Sequence, residues 1–162
     1  MPKKINIPKT IPHFDVPVTD VPFLKVKLLT KASKLPVKAH HDDLGYDLFA
    51  SEQVKLLPGK VGIVSIGIEC HFPPKIGGLI RDRSSVATKL GLIVVAGVID
   101  SQYTGEIKVA FLNTTKKAIM VKVGDKIAQM ILLPSIYCPV FEVKEIPVTA
   151  RGKQGFGSTG KK

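Results

Sequence analysis

The sequence has no apolar run approaching the roughly 20 residues that a membrane-spanning helix needs. Its first residues carry lysines but no continuous apolar stretch followed by a small-residue cleavage site, so we expect no secretory signal. We therefore expect a cytoplasmic protein that makes no contact with membranes.

Cysteine is scarce, because Cys70 and Cys138 are the only two and form no CxxC pair. One disulfide between them is one interpretation, and two buried free thiols are the one that a cytosolic protein favours. The four histidines form no i, i+4 helical pair with a nearby carboxylate that would indicate a zinc site. We expect no catalytic zinc.

Acidic residues are also few, with 13 Asp and Glu against 24 Lys and Arg, which gives a formal net charge of +11. Such a charge favours a polyanionic partner, either nucleic acid or a phosphorylated small molecule. The lysines are scattered, however, and no basic run is interleaved with aromatic residues as in single-strand binders. We expect no direct nucleic-acid binding and a general attraction for phosphates.

What the sequence does contain is a series of short β-branched runs separated by Gly, Pro, Asp and Asn. With 162 residues, 44% of them hydrophobic, the chain is long enough for one domain with a core. Helical periodicity occurs only around 84–90. Short strands at this spacing indicate an all-β sandwich or barrel. The predicted strands are 26–29, 46–50, 61–69, 92–99, 106–113, 126–133 and 140–144.

Both ends of the chain differ in composition from this central part. Prolines at positions 2, 8, 12, 17 and 22 exclude helix and discourage a central strand, so residues 1–22 are predicted to form an extended arm. The glycine-rich tail cannot bury a core, but it carries Arg151, Phe156, Ser158 and Thr159. An arginine and hydroxyls suit phosphate oxygens and a ring suits stacking, so the tail is either a lid over a nucleotide or a disordered end.

The segment 97–106, GVIDSQYTGE, lies between two strong strand runs and is predicted to be a hairpin connection. A carboxylate at such a place, here Asp100, can polarise a water molecule, and Tyr103 lies within reach of what that water attacks. The alternative is an aspartate that caps a turn beside a surface tyrosine.

Three further segments carry polar groups suited to phosphate chemistry. Arg83, Ser84 and Ser85 precede the short helical stretch and form a candidate anion cradle, or else a simple helix cap. Gln129 is either a neutral donor or a polar residue on the wet face of a strand. Asp47 lies among apolar strand residues, where a carboxylate needs a partner or a metal-bound water unless it caps a turn.

Taken in order, GYDL, RSS, GVIDSQYTGE, GDKIAQMIL and RGKQGFGSTG resemble the five motifs of the trimeric deoxyuridine triphosphate nucleotidohydrolases, the dUTPases. The resemblance runs from about Leu44 to Gly160. Each motif alone is weak, but the ordered set of five is specific because independent coincidences multiply.

The resemblance implies a jelly-roll-like distorted β-barrel with one short helix, assembled as a homotrimer with three active sites at subunit interfaces. The barrel would occupy 23–147, the arm 1–22 and the lid 148–162. The implied reaction is hydrolysis of dUTP to dUMP and pyrophosphate by water attack on the α-phosphorus. It would limit uracil incorporation into DNA and supply dUMP for thymidylate synthesis.

The resemblance also implies roles for individual residues. Asp100 would activate the water, Gln129 would donate to a phosphate, and Asp47 would act through water on Mg²⁺ held by the triphosphate, with no direct protein ligand. Tyr103 would pack against the deoxyribose and reject a 2′-hydroxyl, while backbone groups of the same segment read the uracil edge. The implied substrate-binding residues are Arg83, Ser84, Ser85, Gly97, Val98, Ile99, Tyr103, Lys108, Arg151, Phe156, Gly157, Ser158 and Thr159.

The chain departs from the family pattern at a few positions. Asp82 and Ser85 stand where Pro and often Gly are expected, and Gln154 replaces a glycine of the lid. Asp82 would repel phosphate if it faced the site, so we expect it to point away, toward Arg81.

Two other functions compete with dUTP hydrolysis. One is dCTP deamination, alone or combined with hydrolysis. The deaminases that resemble this chain carry a catalytic glutamate where this chain has Ala110, and a methyl group cannot transfer protons. The other is a catalytically silent nucleotide-binding module, because fold alone never proves activity.

Overall fold

The computed structural model describes residues 22–153, and nearly all of its regular structure is β-strand. The all-β prediction is therefore confirmed. Within that range lie ten strands: β1 (Lys25–Leu28), β2 (Gly45–Phe49), β3 (Val54–Leu56), β4 (Val61–His71), β5 (Ile76–Asp82), β6 (Leu92–Val95), β7 (Val98–Ile99), β8 (Glu106–Asn113), β9 (Ile119–Val121) and β10 (Lys126–Pro134).

The strands form two four-stranded antiparallel sheets and one two-stranded ribbon. The first sheet has the order β1-β4-β8-β6, the second has the order β2-β10-β5-β7, and β3 pairs with β9. One hydrophobic core takes buried side chains from both four-stranded sheets, such as Phe111 of β8 and Met130 of β10. Strands that alternate inward and outward side chains bury one face and leave the other for contacts outside the chain.

Most predicted strands are present, but two predictions need correction. The run 92–99 is broken at Ala96, whose φ is 61°, and its two parts, β6 and β7, lie in different sheets. The run 140–144 forms no strand and is exposed along its length, because its alternating pattern has no neighbouring strand to pair with among the described residues. Sequence reasoning missed β3, β5 and β9.

The single helical segment among the described residues is Val86–Leu90, which is wound as a π-helix. It ends at Gly91, whose φ of 64° suits glycine, and whose N–H donates to the carbonyls of Val86 and Ala87. Ser85 makes no side-chain capping hydrogen bond, and both Ser84 and Ser85 are exposed. The two hydroxyls before the helix are therefore presented to solvent rather than used as a helix cap.

The two cysteines are free, as the second interpretation expected, but only one of them is buried. Burial raises the pKa of the Cys70 thiol to about 11, whereas Cys138 is exposed. None of the helices in the described range is both long and apolar enough to cross a bilayer.

Candidate active site

The segment 97–106 is not the simple hairpin that the sequence predicts. The flanking strands β6 and β8 do pair antiparallel, with Val95 opposite Ala110. After Val95, however, the chain turns at Ala96 and crosses to the second sheet, where β7 pairs with β5. The crossing places Asp100 and Tyr103 in the loop that returns from β7 to β8.

Gly97 makes this crossing sterically feasible. The Ile80 N–H donates to the Gly97 carbonyl at 2.7 Å, and a Cβ on Gly97 would collide with the carbonyl oxygen of Ile80. Only glycine allows two backbones to approach this closely. The glycine of the GVID motif therefore fixes the position of the loop that follows it.

Tyr103 forms a fixed wall of a small pocket in this loop. Its ring lies against Gly105, where a Cβ would be 2.8 Å from the ring Cζ, and its hydroxyl donates to the Glu106 carbonyl at 3.0 Å. The pocket has a volume of about 250 Å³ and is lined by 98–100, Tyr103 and 106–108. Since whole ligands of drug size occupy pockets of ~300–1,000 Å³, this one suits a nucleoside rather than a complete nucleoside triphosphate.

The two carboxylates of this pocket differ in their surroundings. Glu106 accepts a hydrogen bond from Ser65, and its Oε2 lies 3.2 Å from Lys108 Nζ. The Ser65 hydrogen bond, aided by Lys108, holds the pKa of Glu106 below its ordinary value. Asp100 is exposed on the pocket wall, and it also borders a neighbouring cavity of about 620 Å³.

A second cluster brings together residues of three separate motifs. Asp47 Oδ1 lies 2.8 Å from Arg83 Nε, and Asp47 Oδ2 lies 2.7 Å from Lys126 Nζ in an ion pair without aligned hydrogen-bond geometry. Arg83 also donates from Nη1 to the Lys126 carbonyl at 3.4 Å. One buried carboxylate therefore holds two cations, which leaves the cluster with a net positive charge suited to phosphate.

Gln129 adjoins this cluster through sheet register. It lies opposite Asp47 on β2 and opposite Arg81 on β5. Its Nε2 donates to the Asp82 carbonyl at 2.7 Å, so its amide is oriented by the backbone of the strand that leads to Arg83.

The predicted pairing of Asp82 with Arg81 is wrong. Its carboxylate accepts a hydrogen bond from the Val94 N–H rather than pairing with Arg81. The reason is topological, because the end of β5 lies beside β6, where an N–H is available.

Within residues 22–153, the cluster around Asp47 and the pocket around Asp100 are separate. Arg83, Ser85 and Lys126 line a groove of about 370 Å³, and none of its lining residues belongs to the pocket around Asp100. Arg151 is exposed. The remaining lid residues, Phe156, Gly157, Ser158 and Thr159, lie outside the described residues, as do Gln154 and 1–21.

Sequence reasoning missed Lys126, Glu106 and Ser65. A signal for Lys126 was its place in GDKIAQ directly after the Gly-Asp turn, which sets it beside the strand of Asp47. Residues 22–153 contain no group of three or more His, Cys, Asp or Glu side chains that could hold a metal ion.

The dUTPase family model matches residues 31–160. This chain belongs to the dUTPase family. It is 43% identical over 140 residues to the deoxyuridine 5′-triphosphate nucleotidohydrolase of Clostridium tetani, covering 85% of this chain and 97% of the relative. The corresponding enzyme of Corynebacterium glutamicum is 41% identical over 147 residues, covering 89% and 99%.

Solved dUTPase structures share the fold. The dUTPase of Staphylococcus bacteriophage 80alpha with dUpNHpp superposes with a TM-score of 0.77 at 28% identity, over 85% of this chain and 98% of the phage chain. A variant dUTPase of S. aureus phage phi11, in a structure concerned with coordination of a structural Mg(II) ion, gives 0.72 at 25% identity over 76% and 98%. The jelly-roll-like fold class of this dUTPase is thereby confirmed.

Gly97→Ala should destabilise this dUTPase by about 1–3 kcal/mol, because the added methyl forces β7 away from β5. Denaturant unfolding measures the loss, and dUTP hydrolysis should fall more than stability alone explains. Gly59→Ala is the control, since its Cβ would meet nothing within 4 Å and only its left-handed backbone, with a φ of 64°, would make the change costly. Equal stability and activity in the two variants would contradict the role of the close approach.

Proposed function

We propose that this dUTPase-family chain hydrolyses dUTP to dUMP and pyrophosphate, with Asp100 activating the water that attacks the α-phosphorus. The observation that carries the proposal is the pocket of nucleoside size with Asp100 on its wall. Glu106 is engaged by Ser65 and Lys108, which leaves Asp100 as the carboxylate available to solvent. A positioned carboxylate of this kind is a suitable general base.

The loop would also determine substrate choice. The Tyr103 ring, fixed by its own hydroxyl and by Gly105, would pack against the deoxyribose and leave no room for a 2′-hydroxyl. Backbone groups of Gly97, Val98, Ile99 and Lys108 would read the uracil edge. Deamination lacks its proton carrier because Ala110 occupies the position concerned, and the bacterial relatives above are named as hydrolases.

The phosphates would bind at the second cluster. Arg83, oriented by Asp47, would form charge-assisted hydrogen bonds with phosphate oxygens, together with the exposed hydroxyls of Ser84 and Ser85 and the amide of Gln129. Mg²⁺ would arrive bound to the triphosphate and neutralise part of its charge. Both oxygens of Asp47 lie against cations, and its role toward Mg²⁺ through water stays a prediction.

A homotrimer would join the two clusters across subunit boundaries. Outward-facing apolar side chains of β4, β8 and β6 stand in register: Val61, Leu112 and Ile93 form one row, and Ile63, Ala110 and Val95 the next. Seven apolar side chains of 136–148 are 58–96% exposed. Apolar surface on this scale marks a protein interface, and a closed threefold assembly would cover it on every copy.

The tail from 148 onward would close over the bound nucleotide. Arg151, Ser158 and Thr159 suit the γ-phosphate, Phe156 suits stacking on uracil, and Gly157 leaves space beside the ring. The domain limits 1–22, 23–147 and 148–162, like the cytoplasmic location, stay predictions.

The activity itself is tested with dUTP, dCTP and UTP in the presence of Mg²⁺. We expect dUMP and pyrophosphate from dUTP and no ammonia from dCTP. Ammonia from dCTP, or binding of dUTP without any product, would refute the proposal in favour of one of the two alternatives.

Asp100→Asn should lower kcat by about 10²–10⁴-fold while dUTP binding is retained, because the amide keeps the shape but cannot accept the proton of water. Steady-state kinetics and calorimetric binding measure the two effects. Unchanged turnover would remove Asp100 from the mechanism.

Mixing Asp100→Asn with Arg83→Ala should restore activity if each site takes these residues from different chains. Random mixed trimers would then have about a quarter of their sites intact. Asp100→Asn mixed with Tyr103→Ala is the control, since both changes lie in the same loop and no site becomes intact. Absence of recovery in the first mixture, with both variants folded and trimeric by circular dichroism and light scattering, would contradict a shared site.

Phe156→Ala should lower kcat/KM for dUTP by about tenfold or more, since stacking of a base on a ring contributes ~1–3 kcal/mol. The free energy of unfolding should not change. Kinetic constants equal to those of the unmodified chain would show that the tail does not stack on uracil.

A further inference from the structure

Glu106 is the centre of a hydrogen-bonded network that no predicted role of the site accounts for. Its Oε1 accepts from the Ser65 hydroxyl, and its Oε2 pairs with Lys108 Nζ at 3.2 Å. Its main-chain carbonyl accepts the Tyr103 hydroxyl at 3.0 Å. Side chain and backbone of one residue therefore connect β4, β8 and the wall of the nucleoside pocket.

Ser65 can anchor this network because β4 is irregular at this point. The register of β4 against β8 shifts between Ser65 and Ile68, which is the sign of a β-bulge. The Ser65 hydroxyl accepts from the Gly67 N–H at 3.1 Å and lies 3.0 Å from the Ser51 hydroxyl. With these neighbours in place, the hydroxyl is held in the orientation that donates to Glu106.

The bulge itself depends on a glycine. Gly67 has a φ of 64°, and a Cβ there would collide with the Ser33 hydroxyl and press on Ser51. The Gly67 carbonyl accepts from the Leu29 N–H at 2.9 Å, which links the bulge to the residue that follows β1. The anchor is thus part of the packed first sheet and not a loose surface contact.

The pocket can exclude a 2′-hydroxyl only if the Tyr103 ring that forms its wall stays in place. A tyrosine ring that is 45% exposed could swing outward unless something fixes it. The ring is held by Gly105 and by its hydrogen bond to the Glu106 carbonyl, so its position depends on where the first residue of β8 lies. The Glu106 carboxylate, which accepts from Ser65 and pairs with Lys108, helps to hold this residue against β4.

We propose that Glu106 is a positioning residue that sets the selectivity of the nucleoside pocket for deoxyribose over ribose. It acts by anchoring the Tyr103 wall to the β4 bulge through Ser65. Sites whose supporting contacts are missing lose precision even when the contacting residue is present. The inference rests on the proposed function, since it concerns the same pocket and the same substrate.

The experiment compares calorimetric Kd values of dUMP and UMP for the full chain and its variants. Glu106→Ala should reduce the preference for dUMP over UMP by about tenfold, a modest fraction of what a shape-selective site achieves. The affinity for dUMP should fall, while the affinity for UMP should stay equal or rise.

Glu69→Ala is the matched control. Glu69 lies opposite Glu106 in the register of β4 and β8, and it also pairs with a lysine, Lys27, at 2.8 Å, but it does not line the pocket. Its removal should leave the dUMP preference unchanged. An equal fall in both variants would show a general effect on the sheet and overturn the proposal.

Two more variants distinguish loss of the hydrogen bond between Glu106 and Ser65 from loss of folding. Glu106→Gln still accepts from Ser65 and should restore most of the preference, whereas Ser65→Ala should reproduce the defect of Glu106→Ala. A preference unchanged in Glu106→Ala, or a Gln variant no better than Ala, would contradict the proposal. Because nucleotide binding needs no turnover, a chain that selects dUMP but leaves dUTP intact would refute the proposed hydrolysis while leaving this inference standing.

Discussion

The loop that carries Asp100 and Tyr103 depends on one steric constraint, the close approach of Gly97 to Ile80. It lets the chain leave the first sheet after Val95 and pair with β5 of the second. The crossing places an exposed aspartate and a fixed tyrosine ring beside the first residues of β8. Any side chain at position 97 would separate these strands, and the pocket would lose one wall.

Electrostatics divide the site into two parts with different tasks. Around Asp47, one buried carboxylate orients Arg83 and Lys126, so a surplus of positive charge faces the groove beside the exposed serines. Around Asp100, the competing carboxylate of Glu106 is already bound by Ser65 and Lys108. In the proposed function, the first part would hold the phosphates, and the second would leave Asp100 available to activate water.

The fold class and the motif residues could be predicted because they depend on local signals. Alternation in 61–69 and 106–113 marks strands, and Gly, Asp and Pro mark the turns between them. The break at Ala96 and the short strands β3 and β9 could not be predicted, because sheet membership is decided by partners distant in sequence. The same holds for 140–144, whose strand-like pattern has no partner within the described chain.

The candidate site could likewise be predicted only where local signals mark it. The motifs single out Asp47, Arg83 and Gln129 as candidates, but their positions relative to one another depend on the register of β2, β5 and β10. Lys126, Ser65 and Glu106 looked like ordinary polar residues because their importance comes from tertiary neighbours. Ser65 matters only through a bulge, and a bulge leaves little trace in sequence beyond a glycine two residues on.

The central claim is that the two parts of the site meet between different chains around one nucleotide. A crystal structure of the full chain with dUpNHpp and Mg²⁺ tests it most directly. We expect the uracil and sugar against Tyr103 of one chain, a water between its Asp100 and the α-phosphorus, and the phosphates on Arg83 and Ser84 of another chain. Phosphates bound by Arg83 of the same chain, or an Asp100 remote from the α-phosphorus, would contradict the account.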